Sequence, residues 1–403
     1  MALLDQLRAG QIKVRDLEKH ASSIPEAFQT RRDLLTAATK ADFKHTAQFS
    51  FDAATAVKYN AENIIGATQL PLGVTEPLQV NGDHAKGQFY VPLATTEKSL
   101  IASISRGCKT ITLSGGASVW IQKDAMTRAP LFKVPSLEVA KELLQWVKDH
   151  FDQLKTLTHE VSSHSDLLSF EPWIAGRNVF LRFAFSTGDA MGMNMVTRAS
   201  DKIGKTIAAA LPAVEFLSVS SNMCTDKKPA ALNLTQGRGK TVHVECTIPK
   251  EIITKVLKST AAGMAEIAYR KNLVGSAYAG STGFNAHFAN TVAAAFIATG
   301  QDPAHVVDAS QGFALMEAND DGSLHASVTI PSLNVATIGG GTRLGTQQEA
   351  LQMLGCAGSG NPSGSNSRKL AEIIAAAVLA GELSIIAAQA QHQLADAHKI
   401  TAQ

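Results

Sequence analysis

Residues 130–151, PLFKVPSLEVAKELLQWVKDHF, hold the plan of one unit of the fold. Leu131-Phe132-Lys133-Val134 is short and apolar enough for a strand. Ser136 follows as an N-cap, and apolar residues from Leu137 to Phe151 recur at helical spacing. Working outward, Asn178 to Phe185 is a second strand, and Asp201 to Leu211 begins another helix after the glycine-punctuated GDAMGMNM. Strand and helix alternate across 130–219, which predicts a compact α/β or split βαβ insertion in a larger body.

The flanks differ in texture. Residues 1–50 are charged and helical, and TRRDLLTAATKA predicts a surface or partner-facing helix. From Tyr59, NAENIIGATQLPLGV breaks short apolar runs with Gly and Pro, GQFYVPLA alternates as a strand, and ATTEKSLIASISRG reads as a helix. Thr95 or Thr96 can cap that helix, with Glu97 in its first turn. KTVHVECTIP is a strand, a helix follows from Lys250 to Ala268, and GSAYAGSTGFNAHFANTVAAAFIATG is rich in small residues. Ala371 to Ala390 is the most apolar late stretch, but it contains Glu372 and Glu382 and reads as a buried Ala-rich helix rather than a membrane span.

At 403 residues the chain exceeds what one hydrophobic core sustains, so two or three domains are expected. Hydrophobic residues at 45% and charged ones at 18% are a globular balance. A net charge of +2 without a dense basic block argues against nucleic acid or a membrane surface as partner. The N-terminus carries charges every few residues, unlike a secretory leader. The four cysteines are far apart and form no CxxC pair, so neither a metal site nor a disulfide framework is expected, and the setting reads as reducing and cytoplasmic.

Chemistry could sit at Glu97 in ATTEKSL, Lys227 in CTDKKPA, Asp302 in ATGQDPA and His398 in ADAHKI. Taken singly, each has a plain structural reading: helix-dipole complement, solvated turn or exposed histidine. The loops 188–195 and 337–342 offer glycine backbone that can approach a nucleotide closely. No GxGxxG follows a strand, which disfavours an ordinary Rossmann domain.

ENIIG (from Glu62), LPLGV (Leu70), ATTE (Ala94), DAMGMNM (Asp189), CTDKKPAA (Cys224), GRGK (Gly237), NLVGSA (Asn272), NAH (Asn285), GQDPA (Gly300), PSLNVATIGGGT (Pro331) and GELS (Gly381) occur in one order. In that order they resemble the 3-hydroxy-3-methylglutaryl-CoA (HMG-CoA) reductase family from about residue 55 onward. ATTE points to the class I catalytic portion, here of the soluble type without a membrane anchor.

The resemblance implies an α+β fold: a large HMG-CoA-binding domain from 51–129 and 220–403, a ferredoxin-like cofactor domain at 130–219, and a helical N-terminal region at 1–50. It implies reduction of HMG-CoA to mevalonate and CoA by two hydride transfers. Lys227 would stabilise the oxyanion, His398 protonate the CoA thiolate, Glu97 supply the later proton and Asp302 bridge Lys227 and Glu97. His392, six residues earlier, is the structural competitor of His398. By position, Arg128, Ser220, Asp226, Lys228, Lys271 and Asn290 match the hydroxymethylglutaryl end. Ser103, Arg106 and Lys258 match CoA contacts. Asp189, Met191, Gly192, Met193 and Asn194 match the cofactor loop, with Gly339, Gly340 and Gly341 as its second half.

The resemblance further implies a homo-oligomer with sites between subunits. Ser162 and Ser163 are followed by His164 where NADPH-using relatives carry Arg, and imidazole is the poorer phosphate clamp, so NADPH is expected with NADH as the alternative. Lys98 and Asn334 replace the usual Gly and Glu. Two other readings stay open: NAD-dependent mevalonate oxidation, and a non-catalytic binding paralogue.

Overall fold

The longest apolar stretch organises the molecule. In the structure, a computed structural model describing residues 3–391, Ser365–Ala390 is a single 26-residue helix. It is long and apolar enough to cross a membrane, with mean hydropathy 2.0, yet 94% of that window is buried by the rest of the chain. It is the buried Ala-rich helix that the sequence predicts. Small side chains let its neighbours approach: Gly107, in the helix Leu100–Leu113, sits where an added Cβ would lie 1.9 Å from the Ala380 carbonyl oxygen.

Against this helix lies a mixed sheet. Its strands are β2 (Leu78–Gly82), β3 (Lys86–Phe89), β5 (Ala117–Arg128), β10 (Gly239–Ile248), β11 (Gly283–Phe284), β12 (Gly312–Ala318) and β13 (Leu324–Leu333), in the order β3-β2-β5-β10-β13-β12-β11. β2–β5 and β11–β12 are parallel and the other pairs antiparallel. The short strands β1 (Leu72–Val74) and β4 (Pro92–Ala94) pair separately.

β5 threads two sheets. Its first part pairs with β10, and its last three residues, Met126–Arg128, pair with Phe183–Phe185 of β8 (Asn178–Ser186). β8 belongs to the inserted unit with β6 (Leu131–Lys133), β7 (Asp166–Ala175) and β9 (Glu215–Ser218). The chain there runs β6, helices Leu137–Asp149 and Phe151–Val161, β7, β8, helix Met193–Ala210, β9. The all-antiparallel order β9-β6-β8-β7 gives the expected ferredoxin-like βαββαβ arrangement. Phe132, Leu143, Leu181, Phe183 and Ile203 belong to its own apolar cluster, distinct from the one around the long helix.

Local details depart from the sequence reading where backbone geometry or tertiary contacts override pattern. Gly192, at φ +90°, ends the GDAMGMNM loop, so the helix begins at Met193 rather than Asp201. Ser136 does cap its helix, accepting from Val139 N–H at 3.4 Å, but that helix stops at Asp149. The helix after ATTE starts at Leu100, behind Ser99 at φ +77°, which leaves Glu97 in the preceding turn. The expected helix Lys250–Ala268 breaks at Lys258, φ +55°, and is recapped by Thr260.

Nor is TRRDLLTAATKA merely a surface helix. Arg31 bonds to Glu18 and the Val14 and Ile64 carbonyls, Arg32 bonds to the Ile65 carbonyl, and both arginines are buried.

The Gly107 contact is testable. Gly107→Ala should lower stability by about 1–3 kcal/mol, as overpacking does, read by urea denaturation; an unchanged midpoint would mean that the helices separate freely.

Candidate active site

Three of the singled-out segments meet in one cleft of about 720 Å³. DAMGMNM lines one part of it, Gly300–Pro303 another, and Ile338–Thr342 a third. Glycine makes this approach possible: Gly300 (φ +71°) and Gly341 lie back to back, and a Cβ on Gly300 would come within 2.5 Å of the Gly341 backbone. Gly339 and Gly340 also have positive φ, but an added Cβ on either would meet nothing within 4 Å, so their backbone faces open space. Asp189 anchors the first loop from below. Its buried carboxylate accepts from Gly360, Gly364 and Ser367 N–H groups and from Ser359 Oγ, at and just before the start of the long helix. Its part in the cleft is therefore loop geometry rather than a free charge.

Asp302 lines the cleft and carries the closest charge pair there, Oδ2 to Lys227 Nζ at 2.7 Å. Its Oδ1 accepts from Ala304 N–H at 3.0 Å. Partial burial pushes the Asp302 carboxyl up, but the Lys227 and Ala304 bonds outweigh this and hold it below the usual range.

Lys227 is delivered by a loop with three non-glycine residues at positive φ: Asn222, Thr225 and Lys227 itself. Residues 222–228 form turns, so Lys227 and Lys228 are separated by backbone turning rather than by the alternation of an extended segment. The Lys228 carbonyl accepts from Asn233 Nδ2 at 3.2 Å, while the residue as a whole is exposed.

Beneath the pair is a buried ionic network that sequence reading missed. Arg238, wholly buried, places Nη2 3.0 Å from Asp226 Oδ1 and Nη1 2.9 Å from Asp308 Oδ2. Gly237 and Gly239, both at φ +72°, turn the chain on either side of it, which gives GRGK its physical sense. Asn334, buried, donates to Asp308 Oδ2 at 3.1 Å. Arg128 Nη1 reaches Asp226 Oδ2 at 3.8 Å and Cys224 Sγ at 4.0 Å, and Ser220 Oγ is 3.2 Å from that sulfur. The structure thus brings together Arg128, Ser220, Asp226, Lys227 and Asp302.

Glu97 belongs to a second cluster. Asn290 Nδ2 donates to Glu97 Oε2 at 2.7 Å, and Glu97 is exposed. Among the described residues, no hydrogen bond or ion pair joins Glu97 to Lys227 or Asp302, so Asp302 does not bridge the two as expected. Asn290 rides on the helix Phe288–Thr299, whose entry is pinned by Glu382: the wholly buried carboxylate accepts from Ala286 and His287 N–H groups, both at 2.8 Å. Burial pushes Glu382 up to about 7 and His287 down to about 4, and it lowers Lys271, whose charge is felt at Glu382.

Ser103 and Arg106 lie elsewhere, bonded to Ser384 of the long helix at 2.9 and 3.0 Å. A groove beside them is lined by Arg106, Lys109 and Lys255; the last two are cations that the sequence reading passed over. Lys258 is exposed at its helix break. In the insertion, Ser163 and His164 are exposed, and Ser162 Oγ reaches Met195 Sδ at 3.2 Å. His392 and His398 lie outside the described residues.

The hydroxymethylglutaryl-coenzyme A reductase family model matches residues 27–402. The 3-hydroxy-3-methylglutaryl-coenzyme A reductase of Pyrococcus abyssi is 48% identical over 400 residues, covering 99% of this chain and 98% of its own length. That of Aeropyrum pernix is 50% identical over 399 residues, 99% of this chain and 94% of its own. Among solved structures, the class II 3-hydroxy-3-methylglutaryl-CoA reductase of Streptococcus pneumoniae bound to NADPH has a TM-score of 0.66 at 20% identity, covering 94% of this chain and 100% of that one. At that identity the likeness is one of fold.

Glu382 makes stability depend on pH. Its folded value of about 7 lies above the ordinary 4.5, so the native state holds the proton more tightly. This contribution is full below the ordinary value and is lost as pH rises through the folded one. Melting temperature should therefore decline between about pH 5 and 8 more steeply in the parent than in Glu382→Gln; parallel curves would contradict the assignment.

Proposed function

The chain belongs to the hydroxymethylglutaryl-CoA reductase family, and we propose that it reduces HMG-CoA to mevalonate and CoA with Lys227 and Asp302 at the reacting carbonyl. The observation that carries this reading is the Lys227–Asp302 pair, 2.7 Å apart, with Asp302 in the wall of a glycine-lined cleft. The cleft fits a nicotinamide dinucleotide: the Gly339–Gly340 backbone is open, and Met191–Asn194 lies opposite it in the same lining. Each such group would supply one hydride when bound, so two reduced cofactors are used in turn.

Lys227 donates to the carbonyl oxygen as negative charge develops on it, and Asp302 holds the ammonium in place. Collapse of the hemithioacetal releases CoA thiolate, for which His398 is the proposed acid. Glu97, oriented by Asn290, gives its proton to the alkoxide formed by the second reduction. Arg128 and Lys271 offer charge to the free carboxylate of the substrate, with Ser220, Asp226 and Lys228 shaping that end. Arg106 and Lys258, with Ser103, serve CoA, and the Arg106–Lys109–Lys255 groove supports this as an anion-holding surface.

The finer reading is class I, with residues 130–219 as the cofactor domain, NADPH preferred over NADH, and a cytoplasmic homo-oligomer whose subunits share active sites. ATTE supports the class. Neither mevalonate oxidation nor a non-catalytic paralogue is favoured by any observation.

In a cofactor-absorbance assay the parent should oxidise two NADPH per HMG-CoA, and Lys227→Ala should lower kcat by about 10²–10³-fold. Absence of HMG-CoA-dependent oxidation of either cofactor would sink the reading. His164→Arg should raise kcat/KM for NADPH relative to NADH; an unchanged ratio would assign 2′-phosphate recognition to another residue.

A further inference from the structure

Beneath the Lys227–Asp302 pair lies an imidazole that no step above uses. His305 is wholly buried and closes the short turn Pro303–His305 that Asp302 caps. Its Nδ1 lies 3.1 Å from Asp308 Oδ2 and 3.3 Å from Arg238 Nη1. Its Nε2 lies 3.8 Å from Asp302 Oδ2 and 3.8 Å from Asp226 Oδ1. Nε2 is buried without a hydrogen bond, and native structures keep few such atoms. Asp226 Oδ1, also buried, is ion-paired with Arg238 Nη2 at 3.0 Å and faces Nε2, and a closure of about 1 Å would make a bond between the two.

Asp226, His305 and Asp308 present possible ligand atoms within 4.8 Å of one another, a spacing that could suit a metal ion. The Arg238 guanidinium, in contact with all three, already supplies a fixed positive charge at that point. The network also balances without a proton on the ring: Arg128, Lys227 and Arg238 stand against Asp226, Asp302 and Asp308.

The arrangement selects a tautomer. Nδ1 faces both a donor, Arg238 Nη1 at 3.3 Å, and an acceptor, Asp308 Oδ2 at 3.1 Å, so it finds a partner with or without a hydrogen, whereas Nε2 faces acceptors only. A bare Nε2 would point its lone pair at two carboxylates. Nε2 therefore carries the hydrogen, whether the ring is neutral or charged.

We propose that His305 is a positioning residue: its Nε2–H is shared between Asp302 and Asp226 and locks the partner of Lys227 to the loop that delivers Lys227. This rests on the reading that Lys227 and Asp302 act at the reacting carbonyl. Asp226 lies between Thr225 and Lys227, both at positive φ, so the imidazole holds this loop directly at Asp226 and, through Asp302, at Lys227. Lys227, Asp302, Asp226, Arg128, Arg238 and Asp308 are the charged groups that set its surroundings.

Histidine-selective ¹⁵N labelling of the full chain tests the tautomer, with the His305 signal identified by its loss in His305→Gln. A protonated Nε2 is expected, and a bare Nε2 overturns the proposal. Kinetics tests the role. His305→Gln can present an amide N–H in place of Nε2–H and should keep kcat within about threefold. His305→Met cannot donate and should lose kcat by about 10- to 100-fold. Its acid limb should also move up by about one pH unit, because Asp302 loses a donor. Equal kcat and equal acid limbs in the two variants would overturn the proposal, whether both are active or both impaired. If the Met variant does not fold, the tautomer decides. A parent chain without HMG-CoA turnover would undo the functional reading while leaving the tautomer measurement standing.

Discussion

A helix with 18 of its 26 residues buried can carry a polar group on that part only where the group finds a partner. The partners that Ser365–Ala390 finds lie beside both candidate site clusters. Its N-terminal end is held by the Asp189 carboxylate, which also fixes a loop of the glycine-lined cleft. Glu372 accepts from the His84 and Ala85 N–H groups in the β2–β3 turn. Glu382 pins the turn that leads to Asn290 and hence Glu97. Ser384 holds Arg106 and Ser103. Desolvation of one helix thus couples segments far apart in sequence.

The lysine loop obeys a different constraint. Non-glycine residues at positive φ cost about 1–3 kcal/mol each unless the surroundings over-determine them. Here Asn233, buried, donates to the Thr225 and Lys228 carbonyls, Thr127 Oγ1 donates to the Cys224 carbonyl, and Ser221 bonds twice to the Ala129 carbonyl. Thr127 and Ala129 stand at the end of β5, the strand shared by both sheets. The loop is therefore hung from the junction between the large body and the insertion, and any change in their relative position reaches Lys227 through this anchor.

Much of this was legible in sequence because motif residues carry chemistry wherever the backbone places them. Lys227, Asp302 and the two glycine loops were singled out that way; alternation and a serine cap pointed to an α/β or split βαβ insertion at 130–219, and its ferredoxin-like form was implied by the family resemblance. Arg238, His305 and Asp308 were not found. A buried ionic network has no period: its charged members are spread along the sequence from Arg128 to Asp308, and each looks like an ordinary surface charge until folding removes the water. GRGK was a usable signal, since two glycines flanking an arginine mark a side chain that the backbone must turn to bury. Helix starts failed where Ser99 and Gly192 adopt left-handed geometry, which pattern alone does not reveal.

Glu97 shows what one chain leaves undone. A carboxyl that hands a proton to an alkoxide works best in a site closed to water. Yet Glu97 stands exposed in the turn before its helix, with Asn290 Nδ2 donating to it, while Lys227 and Asp302 form their own cluster. Asn290 fixes the direction of the carboxylate without removing water from it. Water must be displaced by something outside these residues, either bound thioester or a second chain. The shared-subunit site proposed above would supply that second surface, so the surroundings of Glu97 during reaction would belong to the assembled, substrate-loaded enzyme rather than to the fold alone.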